Sequence, residues 1–307
     1  MTLARVRSGA LRGIDGIPID VEVDIGSGLP AFNIVGLPDA SVQEARERVR
    51  SAIRNAGFEF PLRRITVNLA PADVRKEGPT YDLPIAVAIL VASEQVPDRF
   101  RDVALLGELS LDGRLRHANG VLPLMAMCAQ AGIESAIVPA EDLAEAQLLT
   151  GTRVFGIETL SQAKDDPETW TSSVSPPPSP PSRSFEPPER GTHDLSTVQG
   201  QEHIKRAVEV AVAGGHNVIL QGPPGAGKTL LARAMPGLLP PLAPIEALEV
   251  TKLYSVAGML ARGGPLVHRR PFRSPHHTVS HAGLVGGGSN IRPGEVSLAQ
   301  DAGLAPH

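Results

Sequence analysis

The sequence predicts an α/β chain in two parts. Three observations carry this: β-type runs alternate with helical patterns over about the first 160 residues, a proline-rich stretch follows Trp170, and a strand, glycine loop and helix succeed one another around Gly222.

In the first part, IPIDVEVDI (17–25), FNIVGL (32–37), ITVNLA (65–70), VALLGELSL (103–111), SAIVP (135–139) and RVFGI (153–157) read as strands, because β-branched and apolar residues dominate short runs bounded by turn residues. The clearest helix follows Asp39. Val42, Ala45, Val49, Ala52, Ile53 and Ala56 keep a 3.6-residue period, Glu44, Arg46, Glu47, Arg48 and Arg50 fill the outer face, and Gly57 stops it. Residues 81–92, 121–131 and 141–149 predict three more helices, so this part is expected to be α/β or α+β with a mixed sheet. Lys76 and Glu77 precede Gly78 and read as surface residues of a turn. In the second part a helix is expected over 201–213, ending at Gly214 and Gly215. A short strand NVILQ (217–221) then leads into the glycine loop and a helix through Leu231, Ala232 and Leu238.

Length and composition suit two globular domains: 307 residues, 42% apolar and 20% charged. Apolar runs such as 83–92 are too short to cross a bilayer, and no basic segment with an apolar core opens the chain, so a cytoplasmic, non-membrane protein is expected. The single cysteine, Cys128, has no internal disulfide partner and lies in the apolar VLPLMAMCAQA, as a buried structural thiol would. Residues 190–307 hold eleven basic and seven acidic side chains, whereas the chain as a whole carries a net charge of −4. That lean suits a phosphate ligand or nucleic acid. Seven prolines between Thr171 and Arg190 predict an extended connector. The expected division is 1–165, a linker 166–191, and 192–307.

GPPGAGKT satisfies the pattern GxxxxGK[ST]. Gly222, Pro223, Pro224, Gly225, Ala226 and Gly227 form a loop whose glycines reach positive φ and let backbone N–H groups close on a phosphate. Lys228 adds a point charge for the β- and γ-phosphates, the residue on which catalysis would depend, and the Thr229 hydroxyl is placed to ligate Mg²⁺. Chance produces this pattern on the order of 0.005 times in a chain of this length, so accident is a poor explanation. ATP and Mg²⁺ are the expected cofactors.

The residues around the loop add a resemblance. DLSTVQGQEHIKRAVEVAVAGGHNVILQGPPGAGKTLLARAMPGLLPPL, followed by RPFRSPHHTVSHAGLVGGGSNIRPGEVSLA, resembles the AAA+ domain of the magnesium-chelatase-like ATPases of the bacterial YifB/ComM group. The resemblance implies a P-loop AAA+ three-layer α/β domain, present here in its N-terminal part. It also implies that Val198 to Gln201 lie near the adenine, with Val198 and Gln199 as cofactor-binding residues, and that the stretch from Arg270 to Gly288 projects toward the pore of a hexameric ring. ATP-driven DNA processing, in branch migration, recombination or competence, is the implied role, and DNA the implied partner. The first part is similar to the proteolytic domain of Lon: KEGPTYDLPIAVAIL (76–90) resembles the segment of its nucleophilic serine, and 107–139 that of its catalytic lysine. Here Thr80 replaces the serine, and Leu122 and Leu124 replace lysines, so a non-proteolytic α+β relative is expected.

A working AAA+ ATPase also needs an acidic strand, a polar sensor and a neighbour's arginine. The family's apolar Leu-Asp-Glu strand would follow GEVSLA, where this chain reads QDAGLAPH with Asp301 as its late acid, and the expectation is a chain cut before that strand, with turnover in doubt. The alternatives are a metal-chelatase motor subunit and a non-catalytic interaction protein acting through its first domain. His276 and His277, with His281 as a third ligand, could chelate a metal or simply belong to the loop. Arg269, Arg270, Arg273 and Phe272 could contact nucleic acid or form a solvated basic loop.

Overall fold

A computed structural model of the chain describes residues 3–166, 169–172, 194–260, 266–268, 270–276, 278–287, 292–299 and 303–304. The expected connector from Ser173 to Arg190, and the candidate residues Arg269, His277 and Asp301, lie outside them. The chain divides into two compact units, Met1–Pro178 with Tyr254–Pro265, and Ser179–Leu253 with Leu266–His307.

The first unit is built on β1 (Leu3–Arg12), β2 (Asp15–Gly26), β3 (Ala31–Val35), α1 (Ala40–Asn55), β4 (Arg64–Ala70), α2 (Asp82–Ala92), β5 (Val103–Leu105), β6 (Glu108–Leu109), β7 (Leu115–Arg116), α3 (Val121–Gln130), β8 (Ser135–Pro139), α4 (Leu143–Ala146), β9 (Arg153–Ile157) and β10 (Thr171–Ser172). Eight strands form one mixed sheet in the order β10-β9-β8-β5-β1-β2-β4-β3. The β1–β2, β2–β4 and β9–β10 pairs are antiparallel, and the β1–β5, β5–β8, β8–β9 and β3–β4 pairs are parallel. A two-residue turn with Gly13 at φ +65° closes the β1–β2 hairpin.

Helix α1 forms as its pattern requires. The Asp39 side chain accepts the Val42 N–H at 2.8 Å, satisfying one of the first-turn donors, and Val42, Ala45, Val49, Ala52 and Ile53 face inward. Every residue of α2 is buried, so it is a central helix covered on all sides. Its apolar side chains, Leu83, Ile85, Ile89 and Leu90 among them, each contribute about 1.5–3 kcal/mol by leaving water. The one charged residue of the helix, Asp82, is fully buried and accepts two hydrogen bonds from Arg48, at 2.7 and 3.0 Å, and one from the Leu109 N–H at 3.2 Å. This ties α1, α2 and β6 together. Burial raises the Asp82 carboxyl to about 6, against the lowering effect of the Arg48 hydrogen bonds.

Several expectations need correction. VALLGELSL is two strands rather than one: Gly107, at φ +154°, donates its N–H to Thr80 O and accepts from Leu83, so the chain leaves the main sheet there. The helix expected over 141–149 is a 3₁₀ turn followed by the single α-turn of α4. Strand β1 was not anticipated. Ala4, Val6, Ser8 and Ala10 alternate inward, but small side chains give period two a weak signal. Lys76 is fully buried rather than on the surface. Its N–H and C=O bond Leu37 and Asp39, which draws the residue inside, and its ammonium donates to Pro71 O. Burial lowers its pKa. Trp170, assigned to the linker, belongs to the first unit: it is 5% exposed, stacks on Phe100, meets Phe155 edge-on and donates Nε1–H to Gln162 O.

Cys128 is buried in a cluster with Val121, Leu124 and Ile133, and burial pushes its thiol up to about 12. In the native state at pH 8 it should therefore resist an aromatic disulfide reagent and react fully once denaturant is added, as absorbance of the released thiolate would show.

The second unit contains α5 (Glu202–Ala213), α6 (Lys228–Ala234) and most of α7 (Pro244–Val256), then β11 (Phe272–Arg273), α8 (His281–Val285), β12 (Gly286–Gly287), β13 (Arg292–Pro293), α9 (Glu295–Leu298) and β14 (Gly303–Leu304). Its ladders among the described residues are the short pairs β11–β14 and β12–β13, so the three-layer sheet expected here is not formed by them. The segment 217–221 is not a strand. Among the described residues no neighbour pairs with it, and Ile219 is 93% exposed. A strand exists only by its ladder, whatever its own propensity.

Candidate functional site: a glycine-rich phosphate loop

The loop Gly222–Gly227 runs directly into α6. Gly225 and Gly227 lie at φ +79° and +80°, where side chains other than glycine are strained, and a Cβ on Gly225 would meet nothing within 4 Å, so its approach side is open. The Lys228 ammonium donates to the carbonyls of Gly222 and Pro223, each at 2.8 Å. Among the described residues no carboxylate pairs with it. The cation thus lies folded over its own loop on neutral oxygens, which an anionic ligand would outcompete. Thr229, at the start of α6, is exposed. A loop of open glycines, a cation without a counter-ion and an adjacent hydroxyl is a donor set that fits a magnesium-bound polyphosphate.

Beneath the loop lies a small apolar core of Leu195, Val198, Leu231 and Ala234, with Ile204 and Leu220 packed against it. Val198 is therefore a buried packing residue under α6, 5% exposed, whereas Gln199 is exposed. Gln201, inside the segment expected near the adenine, has a further contact that the sequence does not show: its side-chain Nε2 donates to Ala226 O at 3.0 Å, across 25 positions of the chain. The sequence signal available was its place beside Gly200, just before α5.

Two family models match the chain: "Subunit ChlI of Mg-chelatase" over residues 21–142 and "Magnesium chelatase, subunit ChlI" over residues 194–304. The chain is 43% identical over 306 residues to the uncharacterized protein YifB of Escherichia coli K12, covering 99% of this chain and 59% of that protein. It is 40% identical over 316 residues to the competence protein ComM of Haemophilus influenzae, covering 99% and 60%. The chain belongs to the YifB/ComM family. An uncharacterized protein of Mycobacterium tuberculosis H37Rv is 46% identical over 301 residues, with 97% of this chain and 59% of that protein covered. The chain thus spans 59–60% of the length of these relatives. Its first part is also similar to Lon protease of Geobacter metallireducens, 27% identical over 136 residues, which is 42% of this chain and 16% of the protease.

The structure describes the positions compared with Lon in the sequence. Leu122 and Leu124 are fully buried apolar residues, and no lysine amine hydrogen-bonds Thr80 among the described residues. Two buried carboxylates, Asp142 and Glu145, are hydrogen-bonded near Leu122. Asp142 accepts from His117 Nδ1 and Ala118 N–H, and Glu145 accepts from Leu122 N–H at 2.8 Å and Ser255 Oγ at 2.6 Å. The Asp142 hydrogen bond raises the pKa of His117, and burial raises that of Glu145.

Of the arginines weighed as nucleic-acid contacts, Arg270 and Arg273 are described, and both are engaged within their own unit. Arg273 forms a bidentate pair with Glu295 at 2.6 and 2.7 Å, and Arg270 bonds Glu246 at 3.1 Å and Pro240 O at 2.7 Å. His276 Nδ1 lies 2.8 Å from Thr278 Oγ1, and among the described residues no group of three or more His, Cys, Asp or Glu is arranged to hold a metal ion. No helix among them is long and apolar enough to cross a membrane. The Arg273 hydrogen bonds hold the Glu295 carboxyl below its ordinary value. Its contribution to stability is therefore present above the unfolded value near 4.3 and lost as pH falls through the lower folded one. The stability gap between the native chain and Glu295→Gln, read from urea unfolding, should close as pH drops from 6 to 3.

Proposed function

We propose that this chain binds Mg²⁺-ATP through Gly222–Thr229 and is the nucleotide-binding part of an AAA+ motor. The observation that carries this reading is the Lys228 ammonium, which sits over an open glycine loop with two neutral carbonyls for partners. The non-proline N–H groups of Gly222–Gly227, that of Gly227 among them, would supply backbone donors, Lys228 the charge between the β- and γ-phosphates, and Thr229 an oxygen for Mg²⁺. Val198, packed beside Leu231 and Ala234 of α6, and the exposed Gln199 lie near the adenine in this reading. ATP is the ligand of this site, and its hydrolysis would need an acidic strand and a neighbour's arginine beside the residues named here.

Similarity to a competence protein favours action on DNA, and the AAA+ resemblance extends this reading to a hexameric ring of subunits in the cytoplasm. The first domain, which runs past the expected boundary at 165 through Trp170 and β10, serves as a non-proteolytic Lon-like scaffold for the nucleotide-binding residues that follow. Calorimetric titration of ATP into the full chain with Mg²⁺ tests the reading. Saturable one-site binding that weakens when Mg²⁺ is chelated supports it, and heats no greater than dilution refute it.

A further inference from the structure

Gln201 stands where a helix N-cap should, but does not act as one. Its carbonyl accepts the N–H groups of Ile204 at 2.9 Å and Lys205 at 3.0 Å, which makes it the residue that opens α5. An N-cap ordinarily has extended backbone and a short side chain that turns back onto the first-turn amides. Gln201 instead lies in the left-handed region at φ +56°, which a side chain such as glutamine adopts only when its surroundings impose it, and makes no capping hydrogen bond. Its amide is sent the other way, to Ala226 O at 3.0 Å. The partner atom Oε1 is enclosed and accepts no hydrogen bond among the described residues. A strained backbone, a forgone cap and an orphaned acceptor are all disfavoured locally, and all three accompany the one contact to the glycine loop.

That contact lands where it can control the loop. In a trans peptide the C=O and the next N–H point in opposite directions in one plane. Holding the Ala226 carbonyl toward Gln201 therefore turns the Gly227 N–H away from it, and no backbone acceptor in the described structure takes that N–H. Gly227 lies at φ +80° and has no Cβ to resist a flip of this peptide, so the loop alone does not fix the direction of the donor. We propose that Gln201 is a positioning residue of the phosphate loop. It locks the 226–227 peptide so that the Gly227 N–H is presented to the β-phosphate of a bound nucleoside diphosphate or triphosphate before the ligand arrives.

This rests on the nucleotide-binding reading above, and the test separates the two. ADP and AMP are titrated into the full wild-type chain, Gln201→Ala, Gln201→Glu and Gln201→Asn. Gln201→Glu keeps the shape without the donor. Gln201→Asn tolerates the left-handed backbone but is too short to reach. All three should weaken ADP binding by roughly three- to tenfold, the worth of one neutral hydrogen bond, with AMP affinity and the ligand-free melting midpoint unchanged. Wild-type ADP affinity in the three variants overturns the inference. So does an equal loss for ADP and AMP with a lowered midpoint, since that is a general structural role. A wild-type chain that binds no ADP contradicts the nucleotide-binding reading itself, and the inference falls with it.

Discussion

Replacing Arg48 by alanine should destabilise the first unit by about 3–5 kcal/mol, the largest effect expected of any single substitution in it. The magnitude follows from what is left behind rather than from what is removed. Asp82 is fully buried at the start of an otherwise apolar helix, and Arg48 supplies two of its three hydrogen bonds. Without the guanidinium, a carboxylate would remain in the core with one backbone N–H for company. The double variant Arg48→Met, Asp82→Leu should recover most of the loss, because apolar residues of similar size leave no charge to compensate. The pH dependence has a definite sign. The folded carboxyl titrates near 6, above its unfolded value of about 3.9, so protonation favours the folded state. Stability from this site is full below about pH 4 and lost as pH rises through about 6. The deficit of Arg48→Ala in chemical denaturation should accordingly shrink as the pH is lowered toward 4, whereas a deficit independent of pH would mean that Asp82 is not the group left stranded.

The second large effect is on ligand binding. Lys228→Ala should weaken ATP binding by about ten- to a hundredfold, the worth of a charge-assisted hydrogen bond to phosphate, while leaving the fold of the chain intact. The side chain is not part of the apolar core under α6, and its hydrogen bonds go to two carbonyls of its own exposed loop. Removing it therefore takes away a ligand contact and little else. An unchanged circular dichroism spectrum alongside weakened binding is the expected pair of results.

Much of this was legible in the sequence, and the residues show why the rest was not. Helix α1 announces itself through the Asp39 cap, five apolar residues at helical spacing and Gly57, all of them local signals. Strands β8 and β9 match their expected bounds, since Ser135–Pro139 and Arg153–Ile157 are short apolar runs between turns. Long-range effects were not visible. Lys76 is carried inside by backbone bonds to Leu37 and Asp39, nearly forty positions away, and no local rule buries a lysine. VALLGELSL has the propensity of one strand, but the bonds of Gly107 to the 80–83 segment break it. NVILQ has the same propensity but no partner strand among the described residues. At the candidate site the pattern GPPGAGKT was readable because its chemistry is contiguous in sequence. The Gln201 contact was not, because it joins positions 201 and 226 through a side chain whose backbone conformation no propensity would suggest.

The central claim is that the glycine loop is a nucleotide site, and the most direct measurement is calorimetric titration of Mg²⁺-ATP into the full-length chain and into Lys228→Ala side by side. One saturable site in the native chain, lost or weakened at least tenfold in the variant, is the predicted result. Equal binding by the two proteins would place any nucleotide elsewhere, and no binding by the native chain would contradict the claim outright.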